Sequence, residues 1–196
     1  MKITDVSKLR GPLGELNDQL FGENGEERLA EFNLWLKGVM VSILKLVAVV
    51  HVCGAKRFVA RGAFGKDNPA GIKFFLGGNF EKNFLGKVEE NVQAVELVGQ
   101  ILIRSSVDDP IMEELGDCKE TTLTYLYELV SRQSRGEAGP LLTNGRANIF
   151  YIRDVNGNFW AVHARWCSTS CGWDVDAYSV ARPDGWFAGC QVISRK

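Results

Sequence analysis

Residues 147–166 read Ala-Asn-Ile-Phe-Tyr-Ile-Arg-Asp-Val-Asn-Gly-Asn-Phe-Trp-Ala-Val-His-Ala-Arg-Trp, and this stretch decides the fold of the last quarter of the chain. Asn156-Gly157 lies between two apolar runs, at 149–152 and 159–162. An Asn-Gly pair tolerates the positive φ that both central positions of a type I′ turn require. The stretch therefore predicts a tight antiparallel β-hairpin with a two-residue loop.

The two-residue loop also predicts which residues face each other across the hairpin. It places Phe150 opposite His163 and Ile152 opposite Ala161. One predicted face carries Phe150, Ile152, Phe159, Ala161 and His163, and the other carries Ile149, Tyr151, Trp160, Val162, Ala164 and Trp166. Because both faces are largely apolar, we expect the sheet to be covered on both sides, or one side to be a binding surface.

Two more strands are predicted after the hairpin. From Trp173 the sequence alternates apolar residues with polar ones, and a last strand is expected at about 187–193. Together these segments predict a four-stranded antiparallel β-meander over 147–195.

The rest of the chain predicts both helices and strands. We expect helices at 25–37, 109–116 and 117–136, and strands at 46–52, 57–61, 72–76 and 92–104. The predicted fold is α+β, with an N-terminal helix and strands, a central helix pair and the C-terminal meander. We expect one domain at 24–196, preceded by a flexible arm at 1–23.

Composition indicates an ordinary globular protein. The 196 residues are 45% apolar and 24% charged, with a net charge of -1, which does not favour binding to nucleic acid or to an anionic membrane. No secretory signal or membrane-spanning stretch is visible, and an odd number of cysteines, five, is typical of reduced thiols. We therefore expect a cytoplasmic protein. No phosphate-binding loop, dinucleotide fingerprint or metalloprotease motif is present, and we expect no cofactor.

A cysteine, a histidine and a carboxylate are arranged in an order that suits acyl transfer. Cys118 falls at the predicted N-terminus of the second central helix, where free amides and the helix dipole lower a thiol pKa. His163 follows on a strand, and Asp174 or Asp176 on the next. This layout is that of papain-like and transglutaminase-like enzymes, although Asp117 beside the thiol opposes its ionisation.

A zinc site is the weaker chemical alternative. Cys167 and Cys171 have a spacing within the looser range of zinc ligands, and His163 and Cys190 could complete the set. Because no second cysteine pair accompanies them, we expect an ordinary loop and no metal.

Aromatic residues and arginines crowd the predicted meander, a combination typical of binding surfaces. The candidate binding residues are Tyr151, Arg153, Trp160, Arg165, Trp166, Trp173, Tyr178 and Trp186. Without a basic excess, a protein partner is favoured over nucleic acid.

Several segments together resemble a family of uncharacterised bacterial hypothetical proteins. They are 78–80 with 87–90, 106–111, 141–145 and 147–154, within a resemblance that covers roughly 57–195. The resemblance implies a bacterial protein and transfers no activity, cofactor, partner or functional residue.

The sequence thus predicts a non-catalytic binding or assembly module that uses an aromatic- and arginine-rich C-terminal sheet. The alternative is a cysteine-dependent hydrolase or acyltransferase. A third interpretation is a small-ligand domain with a pocket between helix and sheet. The oligomeric state stays open.

Overall fold

A computed structural model describes residues 25–26, 29–30, 42–182 and 184–196 of the chain. The chain divides into two compact units, Met1–Ser42 and Ile43–Lys196. In the first unit, residues 25, 26, 29 and 30 are helical, within the helix predicted for 25–37. The rest of that helix and the predicted arm at 1–23 lie outside the described residues. The second unit carries the sheet and all the candidate site residues.

The second unit is mixed α/β and is built on a large, mostly antiparallel sheet. Its elements are β1 (Leu44–Val52), β2 (Ala55–Val59), α1 (Ala60–Ala63), β3 (Phe74–Leu76), α2 (Gly78–Phe84), β4 (Val88–Val92), β5 (Val95–Leu102), α3 (Asp108–Leu115), a 3₁₀ turn (Gly116–Cys118), α4 (Leu123–Ser131), β6 (Asn148–Arg153), β7 (Phe159–Cys167), β8 (Gly172–Ser179) and β9 (Gln191–Arg195). Seven strands form one sheet in the order β1-β5-β9-β6-β7-β8-β3, and β2 pairs with β4 separately. Among the strand pairs of the described residues, only β6–β9 and β3–β8 are parallel.

Both faces of the sheet carry buried clusters, which is the first of the two arrangements expected from the apolar faces of the hairpin. On one face, Phe150, Val162 and Val175 pack with the apolar stripe of α4, which includes Leu126. On the other face, Ile149 and Tyr151 pack with α3 and with the segment that leads to β9. The alternation predicted for β8 is also confirmed, because Trp173, Val175 and Ala177 are fully buried.

The predicted four-stranded meander is wrong in its last strand. Strands β6, β7 and β8 form an antiparallel meander, but β9 lies on the far side of β6, between β5 and β6, and runs parallel to β6. The outer edge of β8 is taken by β3 instead. The last strand also starts later than predicted, at Gln191, and Phe187 is 72% exposed.

The predicted hairpin exists, but its register is shifted by one residue. The last pair is Arg153 with Phe159, so the loop has five residues, and Phe150 lies opposite Val162 instead of His163. The carboxylate of Asp154 causes the difference, because its Oδ1 accepts hydrogen bonds from the amides of Asn156 and Asn158 at 2.8 and 2.9 Å. This Asx turn draws the whole of 154–158 out of the strand ladder.

The second central helix begins later than predicted, at Leu123 and not near Asp117. Gly116, with φ of +56°, ends α3, and Thr122 caps α4 by accepting a hydrogen bond from the Tyr125 amide. Cys118 therefore lies in the 3₁₀ turn between the helices and not at a helix N-terminus. The helix N-terminus on which the acyl-transfer hypothesis placed Cys118 is therefore not at this residue.

Candidate functional site

A pocket of about 600 Å³ opens on the face of the sheet that carries His163. Strand β7 supplies His163 and Arg165, and β8 supplies Tyr178. The opposite wall is formed by the segment that joins β8 to β9, with Arg182 and Trp186. The volume is within the range typical of small-molecule sites. We call this the His163 pocket.

Trp186 is fixed to the body of the domain by three hydrogen bonds. Its amide donates to the Ser106 carbonyl at 2.7 Å, and its carbonyl accepts from the Ser106 amide at 3.0 Å. Its indole Nε1 donates to Oδ1 of Asp108 at 2.8 Å. Gly185 allows this approach, because a Cβ at that position would lie 2.7 Å from the Ser106 oxygen. The indole is therefore a rigid part of the pocket wall.

The rings of the pocket form one aromatic cluster, and a guanidinium lies against it. The His163 ring stacks on Tyr178 at 4.8 Å and meets Trp186 edge-on at 5.5 Å. The Arg182 guanidinium carbon lies 3.8 Å from the Tyr178 ring centroid and 4.8 Å from that of Trp186. These are cation–π distances, so the rings hold the charge of Arg182 in place.

Three arginines and one aspartate are the charged residues that line the pocket. Arg165 is neutralised by Asp174, with Nη2 and Oδ2 2.5 Å apart. Arg146 and Arg182 form no ion pair with any described carboxylate, and Asp184 likewise has no described cation as partner. The Arg182 Nε is buried without a hydrogen-bond partner, and no described hydrogen bond involves the Nη groups of this side chain. The pocket thus holds two unpaired cations and one unpaired anion.

His163 is neutral at physiological pH. The side chain is 6% exposed, and this burial lowers its pKa from the ordinary 6.5 to about 4. Asp174 and Asp176 pull the pKa upward, but the loss of solvation outweighs them. The ring nitrogen Nδ1 is enclosed and has no hydrogen-bond partner. The imidazole therefore adds a polar group to the pocket but no charge.

A buried carboxylate supports the pocket from below. Asp108 is fully buried, and its Oδ1 accepts hydrogen bonds from the Tyr151 hydroxyl and the Trp186 indole, each at 2.8 Å. Burial raises the pKa of Asp108, although these two hydrogen bonds and the charge of Arg182 oppose the change. Burial, together with the nearby carboxylate, also raises the pKa of Tyr151. Asp108 therefore positions Trp186 through the hydrogen bond that its Oδ1 accepts from the indole.

The structure does not bring the predicted catalytic residues together. Cys118 lines a different pocket, of about 510 Å³, with Glu96 and Arg195. His163 lines the pocket described above, and no described hydrogen bond joins its ring to a thiol.

The two candidate carboxylates have other partners. Asp174 pairs with Arg165, and Asp176 lies across β8 from His163 but accepts hydrogen bonds from the amides of Phe80 and Ala177. Asp176 also occupies the space beside Gly77, where a Cβ would lie 1.9 Å from its Cγ. These contacts tie Asp176 to the N-terminus of α2.

The predicted aromatic surface is divided between the core and the pocket. Trp173 and Tyr151 are fully buried, Trp166 is 8% exposed, and half-buried Trp160 donates its indole hydrogen to Asp154. Arg153 lies outside the pocket, stacked on Phe159 at 4.2 Å and paired with Glu120. The candidate binding residues do not share one face, because alternate strand residues point to opposite sides of the sheet. Three predicted binding residues line the pocket, namely Arg165, Tyr178 and Trp186.

The sequence indicated Arg146 and Arg182 as part of the arginine-rich surface but did not select them as site residues, and it did not indicate Asp184 or Asp108. The signal available was the turn-forming run 182–185, Arg-Pro-Asp-Gly, placed directly before Trp186. This signal predicts a turn but not its location. Only the tertiary fold shows that the turn lies against the sheet face that carries His163.

Neither a metal site nor a membrane span is found in the part of the chain that the structure describes. No three His, Cys, Asp or Glu side chains there are grouped as ligands, and no helix is long and apolar enough to cross a membrane. Cys167 and Cys171 flank the β7–β8 turn, whereas Cys190 lines the His163 pocket. Comparison with protein-family models, curated proteins and solved structures found no match to the chain.

Proposed function

We propose that this protein is a non-catalytic binding module that takes an anionic ligand into the His163 pocket. The observation that carries the proposal is the Arg182 guanidinium, which lies on Tyr178 and Trp186 without a described carboxylate partner. Of the aromatic and arginine-rich surface expected from the sequence, the proposal keeps the residues that line the pocket, namely Arg165, Tyr178 and Trp186.

The physical argument is preorganisation. A free arginine side chain loses rotamer freedom when it binds an anion, whereas stacking on two rings has already fixed Arg182. Its planar donors suit a carboxylate or phosphate oxygen pair, and charge-assisted hydrogen bonds are the strong ones. Arg146, which is exposed and lines the same pocket, adds a second unpaired cation.

A binding role is favoured over catalysis because the expected catalytic groups lack the contacts that chemistry requires. A cysteine protease-like mechanism needs thiol and imidazole within hydrogen-bond reach. Cys118 and His163 line separate pockets, and the carboxylates beside the imidazole are engaged elsewhere.

A second candidate is an acidic segment of a protein partner, bound at the same place. Phe187 lines the pocket and is 72% exposed, and large exposed aromatic side chains are frequent anchors in protein interfaces. Such a partner would insert an acidic side chain toward Arg182.

The test compares two dyes that have similar aromatic bodies and different charge. Anilinonaphthalene sulfonate is anionic and phenylnaphthylamine is neutral. We expect the anionic dye to bind saturably to the full chain, and Arg182→Gln to weaken it about tenfold, the size expected for a lost charge-assisted hydrogen bond. Binding of the neutral dye should change little.

Arg153→Gln is the matched control, since Arg153 also lies on an aromatic ring but outside the pocket. It should leave the affinity for the anionic dye unchanged. Equal effects of the two substitutions, or equal loss of both dyes in Arg182→Gln, would contradict the proposed site.

A further inference from the structure

We infer that the ligand of the His163 pocket is a doubly charged phosphate monoester carried on an aromatic ring. This inference rests on the proposed function and deepens it, because it names the head group and the body of the anion.

The two unpaired cations of the pocket lie on one short segment of the chain. The Arg182 guanidinium lies on the Trp186 ring, with its carbon 4.8 Å from the ring centroid. The Arg146 guanidinium lies against the backbone of Gly189, where a Cβ would be 3.7 Å from Nε and 3.8 Å from Cζ of Arg146. Three residues of chain span at most about 11 Å, so both guanidinium groups act on a ligand in this pocket.

This segment is held to the chain that ends and follows β5. The Trp186 amide donates to the Ser106 carbonyl at 2.7 Å, and the Gly189 amide donates to the Leu102 carbonyl at 2.8 Å. The supports of both guanidinium groups are therefore fixed before a ligand arrives, which lowers the entropic cost of binding.

The charge of the lining favours a dianion over a monoanion. Asp174 neutralises Arg165, so the charges of Arg146 and Arg182 remain against that of Asp184. Asp184 is exposed, and solvent screens its repulsion. The lining is net positive, and a second negative charge on the ligand therefore gains further attraction.

The pocket also offers hydrogen-bond donors to the several oxygens of a phosphate. The Ser105 hydroxyl accepts a hydrogen bond from the Ala188 amide at 3.1 Å, and its own hydrogen has no described acceptor. Tyr178, another lining residue, has a hydroxyl that no described hydrogen bond uses. Guanidinium groups bind pairs of phosphate oxygens, and the hydroxyl groups can bind a third.

The body of the ligand is indicated by Phe187. This residue lies in the chain between the two supports, Trp186 and Gly189, lines the pocket and is 72% exposed. A ring that packs against Phe187 removes apolar surface of both from water, while its phosphate reaches the two guanidinium groups.

The experiment uses three probes with the same ring system: naphthyl phosphate, naphthyl sulfate and naphthol. At about pH 7.5 the phosphate ester carries nearly two charges, because its second pKa is about 6. The sulfate ester has a head group of the same shape and carries one charge, and naphthol is neutral. Isothermal titration of the full chain should give naphthyl phosphate an affinity about fivefold higher than naphthyl sulfate, with naphthol the weakest.

Arg146→Gln tests the source of this preference. The variant should lower the ratio of phosphate to sulfate affinity from about five to about two, because one of the two unpaired cations is lost. Arg135→Gln is the matched control, since Arg135 is also an exposed loop arginine and does not line the pocket. It should leave the ratio unchanged.

Inorganic phosphate and Phe187→Ala test the ring. Inorganic phosphate should bind the wild-type chain at least about tenfold more weakly than naphthyl phosphate, because it buries no apolar surface. Phe187→Ala should weaken naphthyl phosphate about fivefold and leave the affinity for inorganic phosphate unchanged.

The outcomes separate this inference from the proposed function. If naphthyl sulfate binds as tightly as naphthyl phosphate, or if Arg146→Gln keeps the wild-type ratio, the dianion is wrong while the anion site stands. If inorganic phosphate binds as tightly as naphthyl phosphate, the aromatic body is wrong. Equal affinities for naphthol and both anions, or no binding of any probe, overturn the anion site and the inference with it.

Discussion

His163 shows at the scale of one residue how burial sets chemistry. Its pKa is lowered from 6.5 to about 4 in the fold, so the folded protein binds the proton more weakly than the unfolded chain. The stability that neutral His163 contributes is present above the unfolded value and is lost as the pH falls toward the folded one. Between about pH 7 and pH 5 the loss amounts to about 2 kcal/mol.

His163→Phe should remove this loss, because phenylalanine keeps a ring against Tyr178 and does not titrate. Urea unfolding of both proteins near pH 7 and near pH 5 measures it. We expect the wild-type chain to lose about 2 kcal/mol more than the variant on acidification. An exposed control is His51→Phe, whose unfolding should follow the wild-type pH dependence. Parallel loss of stability in His163→Phe and wild type would contradict the buried, neutral state of His163.

The same residue shows what sequence reasoning captures. His163 was correctly placed on a strand with a carboxylate strand after it, and Asp176 does lie opposite it. The assumption that two residues opposite each other in the sheet also form a hydrogen bond was wrong for this pair. Asp176 is bound by the amide of Phe80, from a helix almost a hundred residues away in the chain, and no local pattern encodes that contact.

At the scale of elements, α4 shows why its start was misplaced. The expected start near Asp117 rested on local capping signals, but the amides of Leu123 and Thr124 donate to the Glu89 carboxylate at 3.0 and 2.8 Å. Glu89 belongs to β4 and is 8% exposed. The local cap Thr122 is present in the sequence, but the carboxylate that a distant strand supplies leaves no trace around the helix start. The apolar stripe of the helix, which includes Leu126, was predictable from its spacing.

Glu89→Ala should therefore destabilise the protein by about 3 kcal/mol, because two buried helix amides and the Thr124 hydroxyl lose their acceptor. Glu89→Gln keeps one carbonyl oxygen and should cost less. The control is Glu90→Ala on the same strand, whose carboxylate is exposed and lies 3.9 Å from Arg57, so its loss should change the free energy of unfolding little. Equal urea midpoints for Glu89→Ala and Glu90→Ala would show that the carboxylate does not cap α4.

The hairpin register has a consequence at the same scale. A one-residue shift in pairing moves every side chain to the other face of the sheet. The Asn-Gly signal correctly located the turn, but the acceptor capacity of Asp154 lengthened the loop, so Phe150 and Ile152 pack toward α4 and not beside His163. The sequence could not predict the pocket, because the register expected for the hairpin put His163 on the same face as Phe150 and Ile152.

At the scale of the whole molecule, the last strand, β9, occupies a central position in the seven-stranded sheet. Strand β9 pairs with β5 on one side and with β6 on the other, and thereby joins the N-terminal strands β1 and β5 to the C-terminal meander. Strands adjacent in sequence usually pair, which is why the sequence favoured a fourth meander strand beside β8. In the observed order, the segment between β8 and β9 crosses the sheet, and Trp186 pairs with Ser106, which follows β5 in the chain.

This position predicts that removal of residues 191–196 prevents folding. A fourth strand at the edge of a meander could be lost at modest cost, whereas β9 buries Val192 and Ile193 almost completely and supplies backbone hydrogen bonds on both sides. Its loss leaves β5 and β6 with unpaired inner edges, a cost that exceeds the free energy of unfolding of a typical domain. We expect the shortened chain to show no cooperative unfolding by circular dichroism in urea.

The control shortens the chain by Arg195 and Lys196 only. The Lys196 side chain is 60% exposed and pairs with Glu96, and Arg195 donates to the Asp117 carbonyl, so the buried part of β9 is kept. This variant should unfold cooperatively with a modest loss of stability, because exposed ion pairs contribute little. A cooperative unfolding transition in the chain that ends at Cys190 would contradict the central position of β9, because only a strand at the edge of the sheet could be lost without unfolding the domain. The same result would mean that the position of Trp186 in the pocket wall does not depend on the pairing of β9.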